Sequence, residues 1–113
     1  MIKFTILLRK HPNMSHEDFV KYHKYTHATL FTSVPEVAMY VRRYSQYHSL
    51  KENIPGLPPP LYDGITEIWF DDVESIGKVF TAKRYLEIVR PDEEKFLSIH
   101  DCSFLISTEF LVM

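Results

Sequence analysis

The 113-residue chain contains one cysteine, Cys102, so no disulfide can form within it, and packing or oligomerisation must stabilise the fold. The three glycines, Gly56, Gly64 and Gly77, are too few and too scattered to form a phosphate-binding loop or the glycine pattern of a Rossmann fold. The sequence therefore predicts an activity that needs no nicotinamide or flavin cofactor.

Basic residues are not in excess, since 13 Lys and Arg are set against 15 Asp and Glu, for a net charge of −2. A surface that follows nucleic-acid phosphates is therefore not expected. The longest apolar runs span about four residues, whereas a membrane-spanning helix needs about 20. The segment from Met1 to Pro12 lacks a small-residue cleavage site and is predicted to be a strand rather than a signal peptide. We expect a soluble cytoplasmic protein with no nucleic-acid or membrane partner.

Aromatic side chains are abundant, with one Trp, seven Tyr and eight Phe, and six His accompany them. Tyr and His carry polar tips that are costly to bury unless they find partners or line a cavity. A chain of this length supports one hydrophobic core, so residues 1–113 are predicted to form a single domain. The aromatic content is the first indication of a small-molecule site.

The residue patterns predict an α+β fold in the order β-α-β-β-α-β, which is the ferredoxin-like order, with a four-stranded antiparallel sheet. The predicted strands are Ile2–Arg9, Val37–Ser49 with a bulge, Ile65–Phe70 and Ser103–Val112. A proline-rich stretch, Leu50–Tyr62, is predicted to be a long ordered loop that serves as a lid or an interface arm.

Two helical regions are predicted between these strands. The first begins at Ser15, which has capping-box spacing with Asp18, and ends near Val34. The second begins after Asp71 and Asp72, resumes at Thr81, and is expected to end at Pro91, with one more turn over residues 92–97. Helices on one face of the sheet leave the other face uncovered.

The uncovered face is predicted to carry either the even-numbered residues of the second strand or their alternating partners. Those even positions are Tyr40, Arg42, Tyr44, Gln46 and His48. Two such sheets packed face to face would enclose a barrel-like space lined by polar aromatics. The alternative is a half-solvated strand surface without a function.

Four segments together resemble the EthD-domain family of the dimeric α+β barrel superfamily. They are Ser15-His16-Glu17-Asp18-Phe19 running to His27, Tyr44-x-Gln46-x-His48, Asp63-Gly64-Ile65-x-Glu67-x-Trp69-Phe70, and Pro91-Asp92-Glu93-x-x-Phe96 followed by Thr108-Glu109. The resemblance implies a tight homodimer with a small-molecule pocket between the sheet and the helices.

The resemblance does not imply a single chemistry. Relatives isomerise methylated lactones, or decarboxylate, dehydrate and cyclise aromatic polyketides, generally without a metal or an organic cofactor. These reactions need a proton carrier and a hydrogen-bond donor for an enolate-like oxygen, which His and Tyr or Gln supply. The alternatives are an EthD-type oxidoreductase or cofactor-free oxygenase, and a small-molecule-binding dimer without catalysis.

His27, His48 and Tyr44 are the candidate catalytic residues. His27 matches a histidine common in the family, and its alternative is a structural role. His48 and Tyr44 share a strand face unless a bulge intervenes. His23 and His27 stand four residues apart and could bind a metal, but without an obvious third ligand we expect no metal site.

Tyr40, Gln46, Glu67, Trp69 and His23 are the candidate substrate-binding residues. Tyr40 and Trp69 could equally be core or dimer-interface aromatics. Glu67 lies in an apolar strand, so it either faces the cavity with a raised pKa or pairs with an arginine such as Arg42. His11, His16, His100 and Cys102 are assigned no role.

Overall fold

The computed structural model describes residues Met1–Met113. Its strands are β1 (Ile2–Leu8), β2 (Val41–His48), β3 (Gly64–Phe70) and β4 (Ser103–Thr108). They form one antiparallel sheet in the order β2-β3-β1-β4, which confirms the α+β ferredoxin-like fold.

The first helix, α1, runs over residues 16–32 and changes its winding in the middle. Regular α-helical turns at His16–Lys21 and Ala28–Thr32 flank a π-helical segment at Tyr22–His27. The Ser15 side chain accepts a hydrogen bond from the Asp18 backbone N–H, which confirms the predicted start. In the π segment the N–H of Ala28 bonds to the carbonyl of His23, five residues back. Such segments frequently occur at functional sites.

The predicted strand from Val37 is wrong over its first four residues. A short helix, α2, occupies Pro35–Tyr40, and β2 begins only at Val41. Pro35 at the start of the helix has a φ suited to helical geometry and needs no N–H donor there, which outweighs the strand preference of Val37. The predicted bulge is confirmed as a register shift between Val41 and Arg43.

The second helical region consists of α3 (Val73–Phe80) and α4, which has a π-helical turn at Tyr85–Val89 and α-helical turns at Arg90–Phe96. Asp72 caps α3, as predicted, by accepting from the N–H of Ser75. The expected helix end at Pro91 is wrong because α4 continues through it. The wide π turn immediately before Pro91 relieves the clash that a proline ring causes with the preceding turn of an α-helix.

The last strand also ends earlier than predicted, at Thr108 instead of Val112. Thr108 pairs with Ile2, the first residue of β1, so no strand remains for the following residues to pair with. The apolar residues beyond this point, Phe110, Leu111 and Val112, are exposed.

The sheet has two unlike faces. The even-numbered residues of β1 face the helices, as do Tyr44, Gln46 and His48 beyond the bulge in β2. This side of the sheet packs against two buried hydrophobic clusters, one around Phe70 and one around Phe19. The opposite face is not covered by any element of the chain, so the alternating partners of Tyr44, Gln46 and His48 occupy it. These open-face residues include Lys3, Leu7, Arg43, Tyr47, Ile65, Glu67, Trp69 and Leu105.

Candidate functional site

A cavity of about 540 Å³ lies between the sheet and helices α1 and α4. Fifteen of its 21 lining residues are hydrophobic, and they come from β1, β4, α3, α4 and the segment after α4, with single residues from α1, β2 and β3. Phe104 lines the cavity and is nevertheless 70% exposed, so the cavity opens to the surface beside β4. The size and lining are typical of a pocket for a small, mostly apolar molecule.

His27 stands in the cavity wall with a carboxylate behind it. Its Nδ1 lies 3.1 Å from Oδ2 of Asp92 in α4, and the hydroxyl of Tyr22 donates a hydrogen bond to Oδ1 of the same residue. Asp92 is buried, with 3% of its surface exposed. Since both oxygens of Asp92 accept hydrogen bonds, the proton lies on Nδ1 of His27 and leaves the lone pair on Nε2.

The protonation state of this group follows from its surroundings. Burial lowers the pKa of His27 below its usual 6.5, and the bond and charge of Asp92 offset only part of that effect. Burial, with the neighbouring Asp92, raises the pKa of Tyr22 to about 12, so Tyr22 keeps its proton and stays a donor. At neutral pH His27 is thus an uncharged imidazole that can accept a proton at Nε2.

His23 lies one turn earlier on α1 and has neutral partners. Its Nδ1 is 2.9 Å from Nε2 of half-buried His48, and its Nε2 is 3.0 Å from the hydroxyl of Thr66. The rings of Phe19 and Phe96 stack on it, each with a centroid distance of 5.7 Å. Burial lowers the pKa of His23 to about 3, and it also lowers the pKa of His48. His23 lines the cavity, whereas His48 lies outside the lining and contacts His23.

Tyr44 and Gln46 share one side of β2, as the sequence indicated, and this side faces the helices. Gln46 Nε2 donates to the hydroxyl oxygen of Tyr44 and to the carbonyl of His23, both at 2.8 Å. Tyr44 lines the cavity, and its own O–H has no acceptor within the chain. It can therefore donate a hydrogen bond to a ligand oxygen, while Gln46, which is outside the lining, orients it.

A second polar cluster in the wall has no predicted role from the sequence. The hydroxyl of Tyr85 donates to Oε2 of Glu93 at 2.8 Å, and Nε of Arg90 lies 3.6 Å from Oε1. Burial raises the pKa of Glu93 to about 6 and raises the pKa of Tyr85 as well. The only sign of this cluster in the sequence was the pair Asp92-Glu93 in the fourth family-like segment. Nothing in the local sequence shows that these two neighbouring carboxylates face different partners.

Besides Gln46, three more candidate binding residues lie outside the cavity lining. Tyr40 is on α2, half-buried against the core, with the ammonium of Lys78 4.9 Å from its ring centroid. Glu67 and Trp69 are on the open face, where Lys3 lies 3.0 Å from the Glu67 carboxylate and 5.4 Å from the Trp69 ring centroid.

The ion pair considered for Glu67 is therefore formed, but with Lys3 as its partner, across the β1–β3 pairing. Arg42, the partner considered from the sequence, instead pairs with Asp71 at 2.8 Å. The bulge at the start of β2 turns the arginine toward the end of β3.

His23 and His27 gain no third ligand, and no three His, Cys, Asp or Glu side chains lie close enough together to hold a metal ion. None of the helices is long and apolar enough to cross a membrane.

Comparison with known proteins now identifies the family. Residues 11–100 match the model of the EthD domain. The chain belongs to the EthD-domain family. No curated protein matches the sequence closely enough to indicate its function.

Three solved structures have folds similar to that of this chain. An EthD family protein from Bacillus halodurans is 20% identical, with a TM-score of 0.69, and the match covers 97% of this chain and 100% of that one. A dimeric ferredoxin-like protein of unknown function from Thermobifida fusca is 14% identical, with a TM-score of 0.66 and coverages of 96% and 90%. SnoaB, a cofactor-independent oxygenase from Streptomyces nogalater, is 9% identical, with a TM-score of 0.65 and coverages of 99% and 95%. At these identities the likeness is one of fold.

Proposed function

We propose that this EthD-domain protein is a cofactor-independent enzyme that moves a proton on a small aromatic or polyketide-like substrate, with His27 as the general base. The observation that carries the proposal is the His27–Asp92 pair in the wall of an apolar cavity. A neutral imidazole whose Nδ1–H is held by a carboxylate accepts a proton at Nε2 and is stabilised as the imidazolium forms.

Tyr44 supplies the second requirement of such a reaction. When a proton leaves carbon or a phenol, negative charge develops on an oxygen, and a fixed O–H donor stabilises that charge. The Tyr44 hydroxyl accepts from Gln46 and has its own proton free, which supports this role. His48 and His23 are proposed as positioning residues, since their hydrogen bond ties α1 to β2.

The fold also supports the runner-up activity. SnoaB shares this architecture and is described as a cofactor-independent oxygenase. Removing a proton from a phenol is also a starting step for a reaction with oxygen, so the same base would serve. Consumption of dissolved oxygen in the presence of an aromatic substrate would favour the oxygenase, and proton exchange without oxygen uptake favours the isomerase or lyase type.

The test uses acetophenone, a neutral aryl ketone with exchangeable methyl protons, incubated with the protein in heavy water. Proton magnetic resonance measures deuterium entering the methyl group. We expect exchange above buffer, lowered about 10²-fold or more in His27→Asn, the usual effect of removing a general base. His100→Asn changes an exposed histidine and is the matched control. Exchange by His27→Asn at the wild-type rate would contradict the role of His27, and wild-type exchange no faster than in buffer would favour the non-catalytic binding dimer.

We also propose that the protein is a homodimer formed through the open face of the sheet. Trp69, Ile65 and Leu7 lie there half-buried, and the related protein from Thermobifida fusca is described as dimeric. Leu105 of the outer strand, opposite Thr5, is exposed on the same face. Light scattering at micromolar concentration tests this, and a stable folded monomer of 13.4 kDa would contradict it.

A further inference from the structure

Glu93 and His27 face the same cavity from different helices. Glu93 follows Asp92 on α4, and successive residues of a helix point about 100° apart. Asp92 therefore turns toward α1 and holds His27, while Glu93 stands in the cavity wall itself. The His27–Asp92 pair and Glu93 are thus two separate polar groups in an otherwise mostly apolar pocket.

The two oxygens of Glu93 have different surroundings. Oε2 accepts a 2.8 Å hydrogen bond from Tyr85, whereas Oε1 has no hydrogen-bond partner and lies 3.6 Å from the nearest nitrogen of Arg90. The Glu93 side chain is only 17% exposed, and that of Arg90 is 57% exposed. Because the Glu93 side chain is mostly removed from water, its ionised form is disfavoured, and a proton on Oε1, the oxygen without a hydrogen-bond partner, removes the charge.

We propose that Glu93 is a second catalytic residue, a carboxylic acid that gives its proton to a carbonyl oxygen of the substrate while His27 removes a proton from the adjacent carbon. This rests on the proposed function of His27. The C–H bond breaks, its electron pair forms the carbon–carbon double bond of an enol, and the carbonyl π electrons take the proton from Glu93. The site then holds a His27 imidazolium and a Glu93 carboxylate, with no change in total charge.

The surroundings stabilise each product of that step. Tyr85 donates to the Glu93 carboxylate and Arg90 lies beside it, while Asp92 neutralises the imidazolium. If the enol is conjugated with a further carbon–carbon double bond, the His27 imidazolium gives its proton to the far end of that bond and the Glu93 carboxylate takes back the enol proton, which makes the overall reaction an isomerisation. If the substrate instead carries a hydroxyl group one carbon further on, the enol proton returns to Glu93 and the hydroxyl leaves as water with the proton of the His27 imidazolium, which makes the overall reaction a dehydration.

The same geometry indicates the substrate class. A carboxylate substrate would place its charge beside Asp92 and the newly formed Glu93 carboxylate, which is unfavourable in a low-dielectric pocket. An uncharged aryl ketone matches the apolar wall and offers one carbonyl oxygen to Glu93 and Tyr44. We therefore assign neutral aromatic carbonyl compounds as the substrates.

The first measurement is deuterium exchange into acetophenone. Glu93→Gln keeps an acceptor for Tyr85 and cannot deliver an acidic proton, so exchange should fall about 10²-fold. Glu94→Gln removes the same charge one residue later on an exposed side chain, and because Glu94 is the weakest of the influences on Glu93, exchange should stay close to the wild-type rate. Glu93→Asp retains the carboxyl group and should recover part of the rate, which a purely structural role for the Tyr85 bond does not predict.

The second measurement is the infrared carbonyl band of bound, isotope-labelled acetophenone. A hydrogen bond from Glu93 shifts the band to lower frequency, and Glu93→Leu should reduce that shift while Glu94→Gln should not. In the wild type, exchange should also decline as the pH rises through about 6, the pKa to which burial raises Glu93. Tyr85 and Arg90 lower that pKa, and Asp92 and Glu94 raise it.

The outcomes separate this inference from the proposal for His27. Loss of exchange in both His27→Asn and Glu93→Gln supports it. Loss in His27→Asn with a wild-type rate in Glu93→Gln overturns the role of Glu93 and leaves His27 as the base. A carbonyl band that depends on Glu93, with exchange no faster than in buffer, overturns catalysis by both residues and reduces Glu93 to a binding contact.

Discussion

His23 and His27 stand on the same helix, with ring centroids 6.0 Å apart, and both are largely buried, yet their partners differ in kind. His23 bonds to an imidazole and a hydroxyl, and two phenylalanine rings enclose it. His27 bonds to a carboxylate. Burial alone makes a histidine neutral and inert, whereas burial together with a negative partner makes it a neutral base whose cation is stabilised once formed.

Removing the carboxylate should have the largest effect on this contrast. Asp92→Asn retains the shape of the side chain but no longer stabilises an imidazolium, and its amide can donate to Nδ1 and move the proton to Nε2. We expect deuterium exchange into acetophenone to fall about 10²-fold or more. Nitrogen magnetic resonance of His27 should report the changed tautomer. Asp18→Asn, on an exposed residue at the start of α1, is the control and should leave both measurements unchanged.

His23, whose partners are uncharged, should make the stability of the fold sensitive to acid. The pKa of His23 is about 3 in the folded protein and 6.5 when unperturbed, so the unfolded chain binds more protons between these values. The free energy of unfolding should therefore decrease as the pH falls from about 6.5 toward 3. The raised pKa of Glu93 acts in the opposite sense, because protonation of Glu93 favours the folded state.

The check is urea unfolding of the wild type and His23→Leu at several pH values. The variant should lose less stability between neutral pH and pH 4, although it is less stable at neutral pH because the contacts of His23 with His48 and Thr66 are gone. An equal pH dependence in both proteins would show that His23 is not the group responsible.

Substitution of Tyr44 tests whether its hydroxyl acts as a hydrogen-bond donor or its ring only forms part of the cavity wall. Tyr44→Phe keeps the ring against Phe31 and removes only the hydroxyl. We expect kcat for exchange to fall about tenfold, equivalent to about 1.4 kcal/mol, with a smaller change in KM. Equal kinetics in the two proteins would reduce Tyr44 to an apolar contact.

The smallest effect is expected on the open face of the sheet. Glu67→Gln breaks the ion pair with Lys3, far from the cavity lining, and should leave the exchange rate unchanged. A partly exposed pair of this kind contributes about 1 kcal/mol or less, so thermal unfolding should move only slightly. A large loss of activity would return Glu67 to the substrate-binding residues predicted from the sequence.

Local patterns predicted the order of strands and helices along the chain, the helix starts at Ser15 and Asp72, and the bulge in β2, because capping, alternation and turn residues act over a few neighbours. They predicted wrong boundaries where a longer-range effect decided. The π turn at Tyr85–Val89 allowed α4 to pass Pro91, and the position of Ile2 in β1 determined where β4 ends. Gly64 also has a structural role that its position in the sequence did not reveal. A Cβ at Gly64 would lie 2.8 Å from the carbonyl oxygen of Tyr47, so a larger residue does not fit there.

Helical and strand periodicity indicated that His23 and His27 share one face of a helix and that Tyr44 and His48 share one face of a strand. The packing of these elements decides that the two faces meet, and which histidine has a carboxylate partner. Asp92 lies 65 residues from His27 in the chain, and no local rule joins them. The same holds for Glu93, whose difference from Asp92 and Glu94 is a matter of burial, and burial is a property of the packed elements rather than of the residue.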